Sequence, residues 1–495
     1  MARGRSVART SRRGRRAPST AAAGTTILAW EDDPGAPADE FRPVSRPAPK
    51  LDRKPLPLAI RGRAPAPKEY RPATSSFRYW TAAEALRRAA DLWGGLVPAG
   101  TTWHPTNGRK LPVRLDDGED LNAYYDRNGL HFFHAAAGGT TVYSGESPNV
   151  TCHELGHAVL DALRPQLWDA ASIEVAAFHE SWADMSAVLS AMQLDSFRRK
   201  VLLATAGNLF RTSRLSRLAE QLGWAIRQYR PELVDSDCLR NAVNSFFYRD
   251  PATLPPDAPA ALLSSEPHNF SRVFTAAFLQ GLAGMYAHAG AHGDATLERV
   301  CRDSGQLLVA AVRSSPVVPG YYSQVAAHML EADATLFGGR YRSALQTGFV
   351  RHGILSLQSA AAIGPAHSTA SRRVSSRRGA VPAAPDTLPR IAVAGSPYGL
   401  DADVLLHAAA EPTRFSVASA ALDTGSVTPP AHDVAASGFL EDLLRRGRVD
   451  FGGVKVGAAA TTAPAARKTH ELRREAEGVV LVRKLFDCGF DCGYA

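Results

Sequence analysis

The spacing of apolar residues predicts two adjacent helices in the middle of the chain. Apolar residues recur mostly at steps of three and four from Ile173 to Met192, which is the period of a helix. The preceding helix is expected to end at Arg164-Pro165, because proline lacks an amide hydrogen and disfavours helical backbone in the residue before it. We therefore expect a helical hairpin whose first helix contains the run that begins at His153.

The remaining pattern predicts a mixture of helices and short strands. Residues 82–92 have an amphipathic helical pattern, whereas short strands are expected at residues 111–115 and across residues 122–134. Asp126-Arg127-Asn128-Gly129 has the residue types of a hairpin turn. Near the end of the chain, residues 439–446 are predicted as a helix and residues 478–486 as a strand. The fold class that follows is α+β.

Composition divides the chain into four predicted pieces. Residues 1–74 are rich in Arg, Pro and Ala and are expected to form a disordered arm. Residues 75–356 are the predicted folded domain, with an α/β lobe to about residue 165 and a mainly helical lobe after it. Residues 357–430 return to Ala, Ser, Pro and paired arginines, which predicts a flexible linker. Residues 431–495 form a small accessory element, expected to dock on the domain or on a partner.

The formal net charge of +9 comes mostly from the start of the chain. Residues 1–16 contain seven arginines and no acidic residue, which leaves +2 for the other 479 residues. No aromatic residues are interleaved with these arginines, so we expect no specific nucleic-acid partner.

Two absences and the cysteine content define the expected location. No apolar run of about 7–15 residues follows the basic start, as a secretory signal requires, and no run of about 18 apolar residues could span a membrane. Five scattered cysteines fit a reducing compartment. We therefore expect a cytoplasmic protein, with export as the alternative. Cys152 is predicted to be a packed helix residue. Cys488 and Cys492 form a C-x-x-x-C pair without partner ligands, and a plain hydrophobic tail is expected there.

The chemistry begins with His153-Glu154-Leu155-Gly156-His157. Residues four apart share one face of a helix, so His153 and His157 can bind the same metal ion. Glu154 is rotated away from them but remains close enough to reach a metal-bound water. This is the H-E-x-x-H arrangement of a zinc hydrolase, with two imidazole ligands and a carboxylate general base.

A catalytic zinc site needs a third protein ligand and an open position for water. Glu180 lies on the second predicted helix and can supply that ligand. Asp184 is four residues further on the same face and can accept the second ring N–H of a ligand histidine. The alternative is a helical hairpin with a few surface polar residues, which the apolar character of both helices disfavours.

His153-Glu154-x-x-His157 with Glu180-x-x-x-Asp184 resembles the gluzincin pattern, and specifically that of the thermolysin-like metallopeptidases. The resemblance covers roughly residues 75–356. It implies a two-lobed fold, one catalytic Zn²⁺ and hydrolysis of peptide bonds. Asp161 and the segment Tyr321–Leu355 also resemble the family's zinc helix and closing helices.

The resemblance also implies residues that bind substrate. Asn122-Ala123 resembles the edge strand on which the family lays the substrate backbone. Arg240 resembles the arginine that contacts a substrate carbonyl, and His268 the histidine that stabilises the transition state. Without the family, Arg240 could equally form a structural ion pair, His268 could be an ordinary histidine, and Asn122 a turn or strand residue.

The chain departs from the family at two points. Trp168 lies near the position of a tyrosine that binds the developing oxyanion, and an indole N–H is a donor only. The acidic clusters that bind calcium in secreted relatives have no counterpart, which argues against bound calcium.

The predicted function is zinc-dependent hydrolysis of peptide bonds, most simply as an endopeptidase acting on peptide or protein substrates, with Glu154 as general base and His268 as the oxyanion donor. The alternatives are an aminopeptidase of the same zinc clan and a catalytically silent zinc-fold module. No motif indicates the side-chain preference of the cleft or the oligomeric state.

Overall fold

The computed structural model describes residues 25–39, 41–363, 387–410, 430–456 and 467–488. These residues form a mixed fold of helices and strands, as expected for the α+β class. The helices are α1 (Ser75–Gly94), α2 (Pro148–Leu163), α3 (Gln166–Asp169), α4 (Ile173–Ala191), α5 (Asp195–Thr205), α6 (Glu220–Arg227), α7 (Pro267–Ala287), α8 (Asp294–Ser314), α9 (Tyr321–Phe337), α10 (Arg342–Arg351), α11 (Leu357–Ala362) and α12 (His432–Arg445).

Strands lie mainly before α2 and after residue 387, while helices predominate between them. The strands are β1 (Thr26–Ala29), β2 (Val44–Pro47), β3 (Leu58–Ile60), β4 (Leu111–Arg114), β5 (Ala123–Tyr125), β6 (Leu130–Phe132), β7 (His134–Ala137), β8 (Thr140–Tyr143), β9 (Arg217–Leu218), β10 (Arg240–Asn241), β11 (Arg390–Val393), β12 (Val404–His407), β13 (Val449–Asp450), β14 (His470–Glu475), β15 (Gly478–Arg483) and β16 (Phe486–Asp487).

Two five-stranded sheets organise these strands. The first has the order β16-β5-β6-β4-β3, with β3, β4 and β6 parallel and β5 antiparallel to β6. The second has the order β11-β12-β15-β14-β13. Strand β16 is the last described strand of the chain, yet it belongs to the first sheet and pairs antiparallel with β5.

The helical hairpin forms as the sequence predicts. Ser147 caps the start of helix α2, where its hydroxyl accepts a hydrogen bond from the Val150 N–H, and the helix ends just before Arg164-Pro165. Ser172 caps the start of helix α4 in the same way, with its hydroxyl accepting from the Val175 N–H. Both helices are buried over nearly their whole length, so their polar residues depend on each other for partners.

The expected disorder of residues 1–74 is wrong for the part that the structure describes. Strands β1 and β2 pair with each other, and β3 joins the first sheet. Ile27 and Ala29 of β1 are buried in a cluster with Trp80 and Ala83 of α1. A few apolar side chains thus order a segment whose average composition is polar and proline-rich. Residues 1–24 lie outside the described part.

The expected linker and accessory element also differ from the structure. Residues 387–410 form β11 and β12, which share a sheet with β13–β15, and residues 357–362 form α11. We call residues 387–410, 430–456 and 467–488 together the C-terminal module. Its sheet and α12 enclose a separate hydrophobic cluster that also includes Ala171, Ile173 and Ala176 of the hairpin. The predicted linker at 364–386 and 411–429, and Cys492, lie outside the described residues.

No helix in the described ranges is both long and apolar enough to cross a membrane.

Candidate metal centre

The two helices of the hairpin approach each other closely at the predicted zinc motif. Gly156 lies between the two histidines, and a Cβ there would come within 2.8 Å of the Ser186 Cβ and 2.9 Å of the Ala183 Cα. Glycine is therefore the residue that allows α2 to lie this near to α4. The close approach brings the side chains of His153 and His157 against Glu180.

His153, His157 and Glu180 present three donor atoms around one point. The Nε2 atoms of His153 and His157 are 3.2 Å apart, and they lie 3.3 Å and 3.6 Å from Glu180 Oε2. Donors at about 2.0–2.1 Å from a tetrahedral zinc ion lie roughly 3.3 Å from one another. These three buried residues can therefore hold a metal ion, and the spacing of their donor atoms fits zinc.

The outward-facing ring nitrogens have partners that fix the tautomers. Nδ1 of His153 lies 3.0 Å from Asp184 Oδ1, so the carboxylate accepts the Nδ1–H. Nδ1 of His157 lies 3.2 Å from Nδ1 of His179. With Nδ1 protonated in both ligands, both Nε2 lone pairs point to the metal position. Burial and the neighbouring His157 lower the pKa of His179, which keeps it neutral and able to accept this bond.

Asp184 is held in turn by Arg240. Nη2 of Arg240 lies 2.9 Å from the same Oδ1 atom that contacts His153. Burial alone would raise the pKa of Asp184, but Arg240 and His153 lower it to about 2. Arg240 thus forms the ion pair that the sequence left open as an alternative, while its buried Nε and Nη1 have no hydrogen-bond partner in the described part of the chain.

Glu154 lies beside this cluster, and its carboxylate has the thiol of Cys488, a weak hydrogen-bond donor, as a neighbour. The side chain is fully buried, and burial raises its pKa to about 7 against the lowering effects of His153 and Cys488. A buried carboxylate that relies on so weak a donor is costly, which points to chemistry rather than stability.

His268 reaches the cluster from the first turn of α7. Its Nε2 lies 3.4 Å from Glu180 Oε2, and its Nδ1 lies 2.8 Å from Glu266 Oε1. Burial would lower the pKa of His268, but Glu180 and Glu266 raise it to about 9. His268 is therefore a cation at neutral pH and a donor on both nitrogens.

The predicted substrate strand is β5, which Asn122 immediately precedes. Asn122 is buried, and its Oδ1 accepts the Ala123 N–H at 2.8 Å. The strand is braced from behind, because the Tyr125 hydroxyl donates to Asp161 Oδ2 at 2.9 Å and Arg127 pairs with Asp161 Oδ1 at 2.6 Å. Asp161 therefore ties α2 to β5.

Trp168 packs in the wall next to β5 rather than in an exposed loop. Its ring meets Tyr125 edge to face at 5.5 Å and Phe486 at 5.3 Å.

Sequence analysis gave no indication that the last described residues, 486–488, lie at this cluster. Sγ of Cys488, a donor atom of His153 and one of Glu154 lie within 4.8 Å of one another, and all three residues are buried. Phe486 stacks on His157 with ring centroids 5.0 Å apart and on His179 at 4.0 Å. The only signal in the sequence was the cysteine pair near the C-terminus. Cys152, by contrast, is packed as expected, with its thiol 3.5 Å from the Ala85 carbonyl oxygen.

Comparison of the chain with protein-family models and with curated proteins returned no match.

Proposed function

We propose that this protein is a zinc-dependent peptidase of the thermolysin-like, gluzincin kind that cuts internal peptide bonds. The observation that carries the proposal is the convergence of His153, His157 and Glu180 on one point, at distances suited to tetrahedral zinc, with the buried carboxylate of Glu154 beside them. This is the donor set of a hydrolytic zinc site, which combines three protein ligands with one open position.

The residues around the metal position have separate tasks. Zinc held there would supply a Lewis acid that lowers the pKa of its water and polarises a carbonyl group. Glu154 takes a proton from the attacking water and passes it to the leaving amine. His268 donates its Nε2–H to the oxygen that becomes negative in the transition state.

The surroundings support a peptide as the substrate. Strand β5 offers backbone groups on which an extended peptide could pair as an added strand. Arg240 holds two buried N–H groups that could donate to a substrate carbonyl. The strand-rich region before α2 and the helical region after it meet at the hairpin, which supports the two-lobed architecture that the resemblance implies.

The test pairs metal content with hydrolysis. We expect wild type and Glu154→Gln to bind one zinc ion each, because Glu154 is not a ligand, and His157→Ala to lose it. Cleavage of a mixed peptide library is measured on wild type and on Cys488→Ala, since Cys488 Sγ lies against the cluster. Each protein is compared with its own Glu154→Gln version.

Hydrolysis that depends on Glu154 and produces internal cleavage supports the proposal. Removal of residues only from the amino terminus would identify an aminopeptidase instead. Zinc binding without hydrolysis in both wild type and Cys488→Ala would contradict the peptidase assignment and favour a silent zinc-fold module.

A further inference from the structure

The end of the described chain occupies the strand edge that the proposed substrate would need. Phe486 and Asp487 of β16 pair antiparallel with Tyr125 and Tyr124 of β5. The Cys488 N–H continues the pairing and donates to the Ala123 carbonyl at 2.8 Å. Without β16, β5 would be the outer strand of its sheet. Addition of a strand to such an edge is a general way of binding an extended peptide.

Phe486 covers the helix face that bears the ligand histidines. Its ring is nearly parallel to His157, with an interplanar angle of 12°, and to His179, with 18°. Only 3% of the residue is exposed. The ring therefore fills the space next to the metal ligands as a side chain of a bound peptide would.

Asp487 places a backbone carbonyl at His268. The Asp487 carbonyl oxygen accepts a hydrogen bond from His268 Nε2, the group proposed to stabilise the developing oxyanion. The Asp487 side chain is anchored separately, because its Oδ2 lies 3.2 Å from Arg448 Nη1, and both residues are buried. A peptide carbonyl of the chain itself thus lies where a substrate carbonyl is expected.

Cys488 brings a sulfur atom to the metal cluster. Its Sγ lies within 4.8 Å of donor atoms of His153 and Glu154, and its thiol is a hydrogen-bond partner of the Glu154 carboxylate. A cavity of about 30 Å³ remains between Glu180, His268 and the C-terminal module. That volume holds about one water molecule, so this cavity has no room for a peptide.

We propose that the C-terminal module is a built-in inhibitor of the peptidase. In this proposal, residues 486–488 lie in the substrate position, and Cys488 Sγ, which lies beside Glu154 and His153, would replace the metal-bound water when zinc is present. The inference rests on the proposed function. Zinc bound here would exchange its water for the Cys488 sulfur, with the thiol proton released to solvent, and protonation of the sulfur with return of water would reverse the exchange. The segment is not cut, because the sulfur displaces the water that would attack it.

Contacts distant from the metal hold the module in place. Arg483 Nε donates to the Trp168 carbonyl at 2.8 Å, and the Ala171 N–H donates to the His407 carbonyl at 2.8 Å. The Ser265 hydroxyl donates to Asp442 Oδ1 at 2.8 Å. These contacts hold the body of the module beside the cleft, whereas the pairing with β5, the contacts of Asp487 and the sulfur hold residues 486–488.

The test uses the full chain loaded with Co²⁺ in place of zinc, because a cobalt–thiolate bond gives a near-ultraviolet charge-transfer band. We expect the band in wild type and in the matched control Cys301→Ala, which removes a buried cysteine of α8 outside the site. Cys488→Ala should lose the band while keeping the metal. Cys488→Pro should lose both the band and the hydrogen bond to Ala123.

Peptide hydrolysis by the zinc forms gives the second readout. We expect Cys488→Ala to be about tenfold more active than wild type, and Cys488→Pro more active still, since a larger fraction of the protein has an open cleft. Cys301→Ala should match wild type. Thermal unfolding of each variant, followed by circular dichroism, shows that the variants are folded.

The outcomes separate this inference from the proposed function. A wild-type cobalt form without the thiolate band, together with equal hydrolysis by wild type and Cys488→Ala, would overturn the inhibitor and leave the peptidase intact. A band that depends on Cys488, with no hydrolysis by any variant, would support occupation of the site by Cys488 and reject the peptidase. Cleavage of the wild-type chain between Asp487 and Cys488, read from its intact mass, would show a substrate segment and overturn the inhibitor.

Discussion

Two buried glutamates on helix α4 lie in opposite electrostatic surroundings. Glu174, in the first turn, accepts hydrogen bonds from the Tyr248 hydroxyl and, at 2.9 Å, from the Tyr322 N–H. Both donors are neutral, so burial dominates and raises the pKa of Glu174 to about 7. Burial would also raise the pKa of Glu180, but the imidazoles of His268 and His157 hold it well below its ordinary value.

The difference lies in what each carboxylate faces. Glu174 meets two donors within the chain, and its bonding is complete. Glu180 Oε2 lies 3.3–3.6 Å from ring nitrogens of His153 and His157, yet it accepts no hydrogen bond of good geometry from the described residues. Acceptors that converge on one point require a cation there, whereas a carboxylate that has its own donors does not. Burial alone therefore does not identify a functional acid.

The largest expected effect is on catalysis at the metal cluster of His153, His157 and Glu180. We predict that Glu154→Gln lowers kcat by about 10³-fold, because it removes the proposed general base. Stability should change little, since the partner of the Glu154 carboxylate is the weak thiol donor of Cys488. Steady-state kinetics and urea unfolding of the zinc-loaded protein measure the two quantities. A loss of stability with unchanged kcat would place Glu154 with Glu174, as a structural acid.

The second prediction concerns the coupling of metal to stability. Zinc at about 1,000 times its Kd should stabilise wild type by about 4 kcal/mol, and His157→Ala should lose this gain. Thermal unfolding of both proteins with and without added zinc measures this stabilisation. His328→Ala on α9 is the matched control and should keep the full gain, because the partners of His328 among the described residues lie within its own helix. An equal response of wild type and His157→Ala would exclude the cluster as the metal site.

The third prediction concerns the pH dependence of stability due to Glu174. Its folded-state pKa of about 7 is above the ordinary value of 4.5, so the unfolded chain releases this proton at lower pH. The stabilisation is complete below pH 4.5 and is lost as the pH rises to 7, by about 3 kcal/mol in all. Glu174→Gln is the matched control, because the glutamine side chain can hydrogen-bond both the Tyr248 hydroxyl and the Tyr322 N–H but does not titrate.

Unfolding by urea at pH 5, 6, 7 and 8 measures this effect as the difference between wild type and Glu174→Gln. Other buried acids, such as Asp32, titrate in both proteins and cancel in that difference. The free energy of unfolding of wild type should fall relative to that of the variant as the pH rises. If the free energies of unfolding of the two proteins instead change in parallel with pH, Glu174 is ionised in the folded protein, as Glu180 is.

The smallest effect is expected for Tyr248→Phe. The variant removes one neutral hydrogen bond to Glu174, which corresponds to about 1 kcal/mol of stability. Combination with Glu174→Gln in a double-mutant cycle measures the coupling of the pair. Zinc content should be unchanged, and a loss of zinc would show that the two ends of α4 are not independent.

The metal cluster could be predicted because most of its geometry is local. His153 and His157 share one helix face at a spacing of four, and so do Glu180 and Asp184. Only the packing of two neighbouring helices had to be assumed, and the stop at Arg164-Pro165 made a hairpin the simplest arrangement. His179 was missed because it carries no motif of its own, although it is a polar residue inside an apolar helix.

The C-terminal contact could not be predicted in the same way. Strand β16 is two residues long, too short for any period, and its partner β5 is far away in the sequence. The error at residues 25–74 has a similar origin. Ile27, Ala29 and Leu58 are buried, but the strands that carry them have three or four residues each, surrounded by proline and arginine. Average composition hides such short strands, whose order comes from tertiary packing.

The pairing of β16 with β5 has a consequence for kinetic order. Because both strands belong to one chain, their association is unimolecular and does not weaken when the protein is diluted. A tethered segment acts at an effective concentration that the intervening chain sets, on the order of millimolar for short flexible connections. Any free peptide that competes for β5 must overcome that local concentration, whatever the total amount of protein.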